Sequence, residues 1–237
     1  MMTKKDVFSV EDVAKAIDHA VLKPQYVSRD IEEQAAMCMT RGVGCICVRP
    51  TDVGLAVRCV SGSTVAVASV VGFPHGTHDA SIKLSEAKRV LSAGAQEIDM
   101  VLAIGHLISG DVGLVEDEIT AIVNAASEFR ACVKVILETC YLSTDQIITA
   151  CQIAEKAGAN FVKTSTGFGL NPNGTTGATV EDVQVMLDTV STRVGVKASG
   201  GIRSWEQAIQ FLAMGCQRLG VGDAETILDG GQTTSDY

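Results

Sequence analysis

Phe161-Val162-Lys163-Thr164-Ser165-Thr166-Gly167 sets a lysine inside an apolar run and follows it with small hydroxyl residues and a glycine. A strand through the first four residues alternates its faces, so Phe161 and Lys163 share one side and Val162 and Thr164 the other. In a closed barrel Lys163 then points inward. A buried ammonium without a partner is costly, and burial lowers its pKa. A lysine that is neutral at physiological pH is a nucleophile able to form a Schiff base with a carbonyl. A lysine on an exposed strand end has no such chemistry, so the meaning of this stretch depends on the fold around it.

Outward from Lys163 the same unit repeats along the chain. Strands are expected at Ile17 to Leu22, Gly44 to Val48, Thr64 to Val71, Glu97 to Leu102, Cys132 to Glu138, Phe161 to Thr164, Gly195 to Ser199 and Arg218 to Val221. Helices fill the intervals, beginning near Ser28, Thr51, Asp79, Asp111, Thr144, Val180, Ser204 and Asp223, with one more from Ser9 before the first strand. Several of these starts carry a side chain suited to an N-cap, and Glu11 and Asp12 lie where the first helix dipole favours acids. Parallel strands joined by crossover helices define an α/β fold. Eight such units predict a (β/α)8 TIM barrel with an extra N-terminal helix, and a doubly wound sheet is the alternative. No Gly-x-Gly-x-x-Gly follows the first strand, which counts against a dinucleotide-binding fold. Residues 1–229 are expected to form a single catalytic barrel, and 230–237 a flexible tail.

Bulk composition agrees. The 237 residues are 46% hydrophobic but only 4% aromatic, and Val, Ala, Ile and Leu supply most of the apolar content. That mixture suits strands buried on both faces. The formal charge of −9 argues against nucleic acid and anionic membranes as partners. No segment approaches the roughly 20 apolar residues of a membrane span. Eight scattered cysteines without a Cys-x-x-Cys, and no secretory signal, point to free thiols in the cytoplasm.

In such a barrel, function collects at the C-terminal ends of the strands. Alternation places Glu97, Asp99 and Val101 on one face of the fourth strand, Lys134, Ile136 and Glu138 on one face of the fifth, and Lys197 with Gly195 and Ser199 on one face of the seventh. Asp18 lies in the first. Buried charges are usually paired or functional. One lysine can attack a carbonyl, a second cation lowers the pKa of the first, and a nearby carboxylate can relay protons. This chemistry needs no metal or cofactor. Ser199-Gly200-Gly201-Ile202-Arg203 and Gly220-Val221-Gly222-Asp223 are glycine-rich turns entering helices, at the places where barrels often bind phosphate.

Together these residues resemble the 2-deoxyribose-5-phosphate aldolases, class I aldolases on a (β/α)8 barrel. The similarity spans essentially the whole chain. It rests on Ile17-Asp18-His19, Val71-Gly72-Phe73-Pro74, Glu97-Ile98-Asp99-Met100-Val101, Val162-Lys163-Thr164-Ser165-Thr166-Gly167-Phe168-Gly169 and Val196-Lys197-Ala198-Ser199-Gly200-Gly201-Ile202-Arg203. The resemblance implies that Lys163 is the Schiff-base lysine, Lys197 the lysine that tunes it, Asp99 the proton-relay acid and Asp18 the aspartate that holds Lys197. It places Thr166, Gly167, Gly200, Gly201, Arg203, Gly220 and Gly222 around a substrate phosphate, with Cys47 near the substrate. The implied reaction is reversible cleavage of 2-deoxy-D-ribose 5-phosphate to D-glyceraldehyde 3-phosphate and acetaldehyde. A homodimer is expected, with a small-molecule substrate as the other partner.

Two departures from the family pattern bear on substrate choice. Ala20 stands where the family usually has threonine, and Gly222-Asp223 stands where it carries serines. An aspartate in that turn could cap the last helix, or it could repel a phosphate and accept the hydroxyls of an uncharged sugar. An aldolase for an unphosphorylated or different aldehyde, and a sugar-phosphate-binding barrel without lyase chemistry, therefore remain the alternatives. In the tail, Tyr237 matches a terminal tyrosine that reaches the active site in some members. His75-x-x-His78 has metal-like spacing but no convincing third ligand, and a surface pair is the default.

Overall fold

The computed structural model describes residues 8–170, 174 and 176–234. Eight parallel strands close on themselves in chain order: β1 (Ile17–Val21), β2 (Cys45–Val48), β3 (Ala66–Val71), β4 (Glu97–Val101), β5 (Cys132–Ile136), β6 (Phe161–Lys163), β7 (Gly195–Ser199) and β8 (Arg218–Val221). β8 pairs back onto β1, with Asp18 opposite Gly220. Outside them lie α1 (Val10–Ala16), α2 (Ser28–Arg41), α3 (Val53–Cys59), α4 (Ala80–Ser92), α5 (Ile104–Ser109), α6 (Val112–Ser127), α7 (Thr144–Lys156), α8 (Val180–Thr189), α9 (Trp205–Met214) and α10 (Ala224–Leu228). The (β/α)8 expectation and the additional first helix are both present, and the doubly wound alternative is excluded by closure.

Local chemistry sets the helix starts. Ser9 accepts from the Asp12 N–H while the Asp12 carboxylate accepts from the Ser9 N–H, a reciprocal capping box. Ser143 and Gln146 repeat it before α7. Asp79, Thr179, Ser204 and Asp223 cap α4, α8, α9 and α10. Thr51 does not cap a helix as expected: Pro50–Asp52 forms a 3-10 turn, and α3 begins only at Val53. Ser28 is likewise inside α2, whose entry is fixed by the Val27 N–H donating to Asp30 at 2.6 Å. The short α5 was not anticipated.

A polar residue directly before each of β4, β6 and β8 closes the N-terminal end of the preceding strand. Gln96 Oε1 accepts from the Val67 N–H, Asn160 Oδ1 from Val133 and Gln217 Oε1 from Val196, at 2.8–3.1 Å. Each satisfies a backbone donor that would otherwise be buried without a partner.

Outward-facing strand residues such as Ile46, Val67, Ile98, Val135 and Val196 pack under the helices in the main core. Truncating Ile46 or Ile98 to alanine is expected to cost roughly 2–5 kcal/mol. The strand register puts Asp18, Ala68, Lys134 and Lys197 in one inward layer and Cys47, Asp99, Lys163 and Gly220 in the next, each drawn from alternate strands. The polar centre is walled on the β1–β3 side by Ala20, Leu22, Cys47, Ala68 and Val70, with Phe73 against them. Among the described residues the eight cysteines are free, and no helix is long and apolar enough to cross a membrane.

Candidate active site

Four cations and three carboxylates meet inside the barrel. Lys163 Nζ lies 2.8 Å from Asp99 Oδ2, and Lys197 Nζ lies 2.7 Å from the same oxygen. Lys197 also donates to Asp18 Oδ2. Lys134 Nζ reaches Asp99 Oδ1 at 2.8 Å, Glu97 Oε2 at 2.5 Å and Asp18 Oδ2 at 3.1 Å. Arg218 closes the lower side, with Nε 2.6 Å from Asp18 Oδ1 and Nη2 3.1 Å from Glu97 Oε2. The three lysines, Asp18 and Asp99 are at most 2% exposed.

The count decides the protonation. Lys134, Lys197 and Arg218 match Asp18, Glu97 and Asp99 one for one, and Lys163 is the surplus cation. Burial lowers the pKa of Lys163. Asp99 opposes that effect, Lys197 adds to it, and the net shift is downward. Burial acts on Lys134 and Lys197 too, but the carboxylates around each outweigh it and raise both. Burial would raise Asp99 and Asp18. Lys134, Lys163 and Lys197 hold Asp99 well below the usual carboxylate range, and Lys134, Lys197 and Arg218 do the same for Asp18. Of the three lysines in the cluster, Lys163 is therefore the amine with the weakest hold on its proton.

Of the expected residues, the fold brings Lys163, Lys197, Asp99 and Asp18 together. Cys47 is buried on the inner face beside them, its thiol pushed up to about 11 by burial, so it stays protonated. Lys134, Glu97 and Arg218 belong to the same cluster. Alternation had put the first two on inward faces, but only the register shows that Asp99 lies opposite Lys134. The group of potential metal ligands formed by Asp18, Cys45 and Glu97 is crossed by Lys134 and Arg218, whose charges occupy both carboxylates. His75 and His78 are exposed and join no group of three potential ligands among the described residues.

Above Lys163 the loops after β6 and β7 interlock through glycines. A Cβ on Gly200 (φ 79°) would sit 2.8 Å from Gly177 Cα and 3.2 Å from Gly167 Cα, and one on Gly201 would sit 2.4 Å from the Thr176 carbonyl oxygen. The Ala178 N–H donates to the Gly200 carbonyl at 3.1 Å. Arg203 follows on the same loop, its N–H donating to Gln207 and its carbonyl accepting from the Thr233 N–H. Gly220 lies in β8 opposite Ser199 and Asp18, and Gly222 is half-buried just beyond.

Thr166, expected near a substrate phosphate, is engaged by Glu138. Its N–H donates to Glu138 at 3.1 and 3.3 Å, and its hydroxyl donates to Glu138 Oε2. Glu138 does not extend β5; it takes a left-handed conformation at φ 57°. Asp223 turns to the α10 N-terminus, accepting from the Thr226 N–H at 3.1 Å and from Thr233. The stretch expected to be a flexible tail is pinned as far as Thr233, through Gly231 to Thr226 and a bridge between Gln232 and Ser204. Tyr237 lies outside the described residues.

A barrel with an inward lysine of lowered pKa, a flanking ammonium–carboxylate array and a glycine-lined mouth is built for carbonyl chemistry through an amine, the chemistry of an aldolase. The chain belongs to the DeoC/LacD family of aldolases, whose model matches residues 12–220. It is 42% identical over 227 residues to a deoxyribose-phosphate aldolase of Clostridium perfringens, covering 96% of this chain and 99% of that one. It is 45% identical over 221 residues to a deoxyribose-phosphate aldolase of Thermococcus gammatolerans, covering 92% and 96%. Its fold resembles the tetrameric deoxyribose phosphate aldolase of Aeropyrum pernix, with a TM-score of 0.84 and 32% identity over 95% of this chain and 94% of that one.

Proposed function

We propose that the protein cleaves 2-deoxy-D-ribose 5-phosphate reversibly to D-glyceraldehyde 3-phosphate and acetaldehyde through a Schiff base on Lys163. The observation that carries this reading is the charge count around Asp99, which leaves Lys163 as the one amine without a matching carboxylate. The neutral amine attacks C1 of the open-chain sugar and, with loss of water, forms a protonated imine. Removal of the C3 hydroxyl proton breaks the C2–C3 bond and sends its electron pair into the imine, giving an enamine and releasing D-glyceraldehyde 3-phosphate. Protonation at C2 and hydrolysis return acetaldehyde and the free amine. Lys197 and Asp99, joined at 2.7 Å, are placed to carry these protons. Asp99 begins ionised, so the first proton it handles is one it accepts.

The phosphorylated substrate is favoured by Asp223, whose carboxylate is committed to the α10 cap and Thr233 and so is not a ready acceptor for a sugar hydroxyl. The backbone N–H groups of Gly167 and Gly201, on the turns that meet at Gly200, offer the phosphate end its site. Cytoplasmic location and a homodimer complete the proposal. Borohydride reduction in the presence of substrate should place a stable adduct on the peptide containing Lys163, and Lys163→Leu should abolish turnover. An enzyme that cleaves the sugar with no adduct at Lys163 would falsify the Schiff-base mechanism. Comparing cleavage of 2-deoxyribose with that of its 5-phosphate tests the substrate.

A further inference from the structure

Glu138 stands apart from the ion-pair network, yet it is 2% exposed and sits at the mouth. Among the described residues it bonds no lysine or arginine. Both of its oxygens face Thr166: the N–H lies 3.1 Å from Oε1 and 3.3 Å from Oε2, and the hydroxyl donates to Oε2. Thr166 Oγ1 in turn accepts from the Phe168 N–H at 3.0 Å. The chain then wraps the carboxylate closely, since a Cβ on Gly169 would lie 3.0 Å from Glu138 Cδ. Phe168 meets Phe73 edge-on across the mouth, with ring centroids 5.4 Å apart.

A non-glycine residue at φ 57° is uncommon and is maintained where surrounding contacts require it. Here the left-handed turn swings the side chain from the end of β5 under the loop after β6. A buried carboxylate needs hydrogen-bond donors, and Thr166 supplies two. The consequence falls on the next residue. Gly167 is joined to Thr166 and packs against Gly200, 3.2 Å from that residue's Cβ position. The carboxylate thus fixes where one of the two glycine turns stands relative to the other.

We propose that Glu138 is a positioning residue for the anionic end of the substrate, holding the Thr166–Gly167 turn in register with the Gly200–Gly201 turn so that the Gly167 and Gly201 N–H groups converge on one phosphate. Thr166 then acts as the brace, Gly200 packs the two turns together, and Gly167 and Gly201 carry the contacts. This rests on the aldolase reading and adds the device that selects a phosphorylated sugar. Glutamine keeps an acceptor for the Thr166 N–H, whereas alanine removes the brace.

The test measures kcat and KM of Glu138→Ala and Glu138→Gln for 2-deoxyribose 5-phosphate and for 2-deoxyribose, together with borohydride trapping by acetaldehyde, which has no anionic end. For Glu138→Ala the KM for the phosphate ester should rise about tenfold with kcat within about threefold, while the KM for the free sugar and the trapping rate stay near wild type. Glu138→Gln should restore the phosphate KM to within about threefold. Equal losses on both sugars, an unchanged phosphate KM, or a lower one because the carboxylate merely repels the ester, overturns the proposal. Thr166→Val removes the hydroxyl half of the brace while conserving volume, so it gives the answer if Glu138→Ala does not fold. An unchanged phosphate KM in Thr166→Val is equally fatal. Failure of acetaldehyde to trap Lys163 in the wild type counts against the aldolase reading instead.

Discussion

Lys163 does not have Asp99 to itself: its Nζ is 2.8 Å from Oδ2, and that same oxygen lies 2.7 Å from Lys197. The other oxygen is taken by Lys134 at 2.8 Å. One carboxylate divided among three ammonium groups holds each proton less firmly than it would hold one alone. Lys163 is the one whose pKa falls, because it has no second carboxylate, whereas Lys134 also has Glu97 and Asp18, and Lys197 also has Asp18.

Lys134 should therefore be required for activity although it carries no proton in the reaction. In Lys134→Met the three carboxylates face only Lys163, Lys197 and Arg218, and the balance then favours a protonated Lys163. Adduct formation with acetaldehyde at neutral pH should slow about 100-fold or more and recover as pH rises. The variant should also lose roughly 3–5 kcal/mol of stability, the cost of breaking a buried ion pair from one side. Wild-type rates of borohydride trapping across neutral pH would sink the charge-count argument.

Lys197 should shift the pH profile. The reactive form of Lys163 is the free amine, so adduct formation rises with pH through the folded pKa of Lys163, which lies below 10.5. Removing Lys197 takes away a cation that lowers this pKa and frees Asp99 Oδ2 to hold the Lys163 proton. Lys197→Met should move the rising limb to higher pH. Single-turnover trapping by acetaldehyde measures it, and a limb that stays in place or moves to lower pH contradicts the assignment.

The barrel and the residues Asp99, Lys163 and Lys197 were legible in the sequence because period-two alternation inside short strands shows which charges face inward, whereas Asp18 was picked out by the family resemblance. Lys134 was visible on such a face, but its partners were not. They sit on β1 and β4, and only the register of a closed sheet brings a fifth-strand lysine to a first-strand aspartate. Arg218 read merely as a strand start. Glu138 was extrapolated as one more inward residue of β5, whereas its backbone reverses hand, and nothing in Ile136-Leu137-Glu138-Thr139 announces that. The helix α5 went unseen because Ile104–Ser109 is short, contains Gly105 and has no side-chain cap. Asp223 was the useful ambiguity: helix cap and pocket acid are written with the same residue, and only the bond to the Thr226 N–H separates them.

His19 gives a stability prediction with a definite sign. It is buried beside Asp18, its Nε2 2.7 Å from Gln34 Oε1, and its Nδ1 has no hydrogen-bond partner among the described residues. Burial lowers its pKa from 6.5 to about 4, with Gln34 and Asp223 opposing. The folded protein keeps His19 neutral while the unfolded chain protonates below 6.5. Its contribution is therefore whole above pH 6.5 and is lost as pH falls toward 4. This amounts to about 3 kcal/mol. Urea unfolding at several pH values should show wild type losing stability across that window and His19→Gln losing about 3 kcal/mol less. Parallel curves for the two proteins would mean that His19 titrates normally.

Gly200→Ala separates the cost of a left-handed backbone from the cost of a collision. Gly200 and Gly62 have nearly equal φ, 79° and 81°, but a Cβ on Gly62 meets nothing within 4 Å, while one on Gly200 would lie 2.8 Å from Gly177 Cα. Both substitutions should lower stability by roughly 1 kcal/mol through the backbone alone. Only Gly200→Ala must also push the loops after β6 and β7 apart, because the obstruction is main chain and cannot swing aside. Its KM for the phosphorylated sugar should rise about tenfold or more, with acetaldehyde trapping at Lys163 much less affected. Gly62→Ala should leave both unchanged. If Gly200→Ala lost stability yet kept its KM, the two glycine turns would not be what holds the phosphate end.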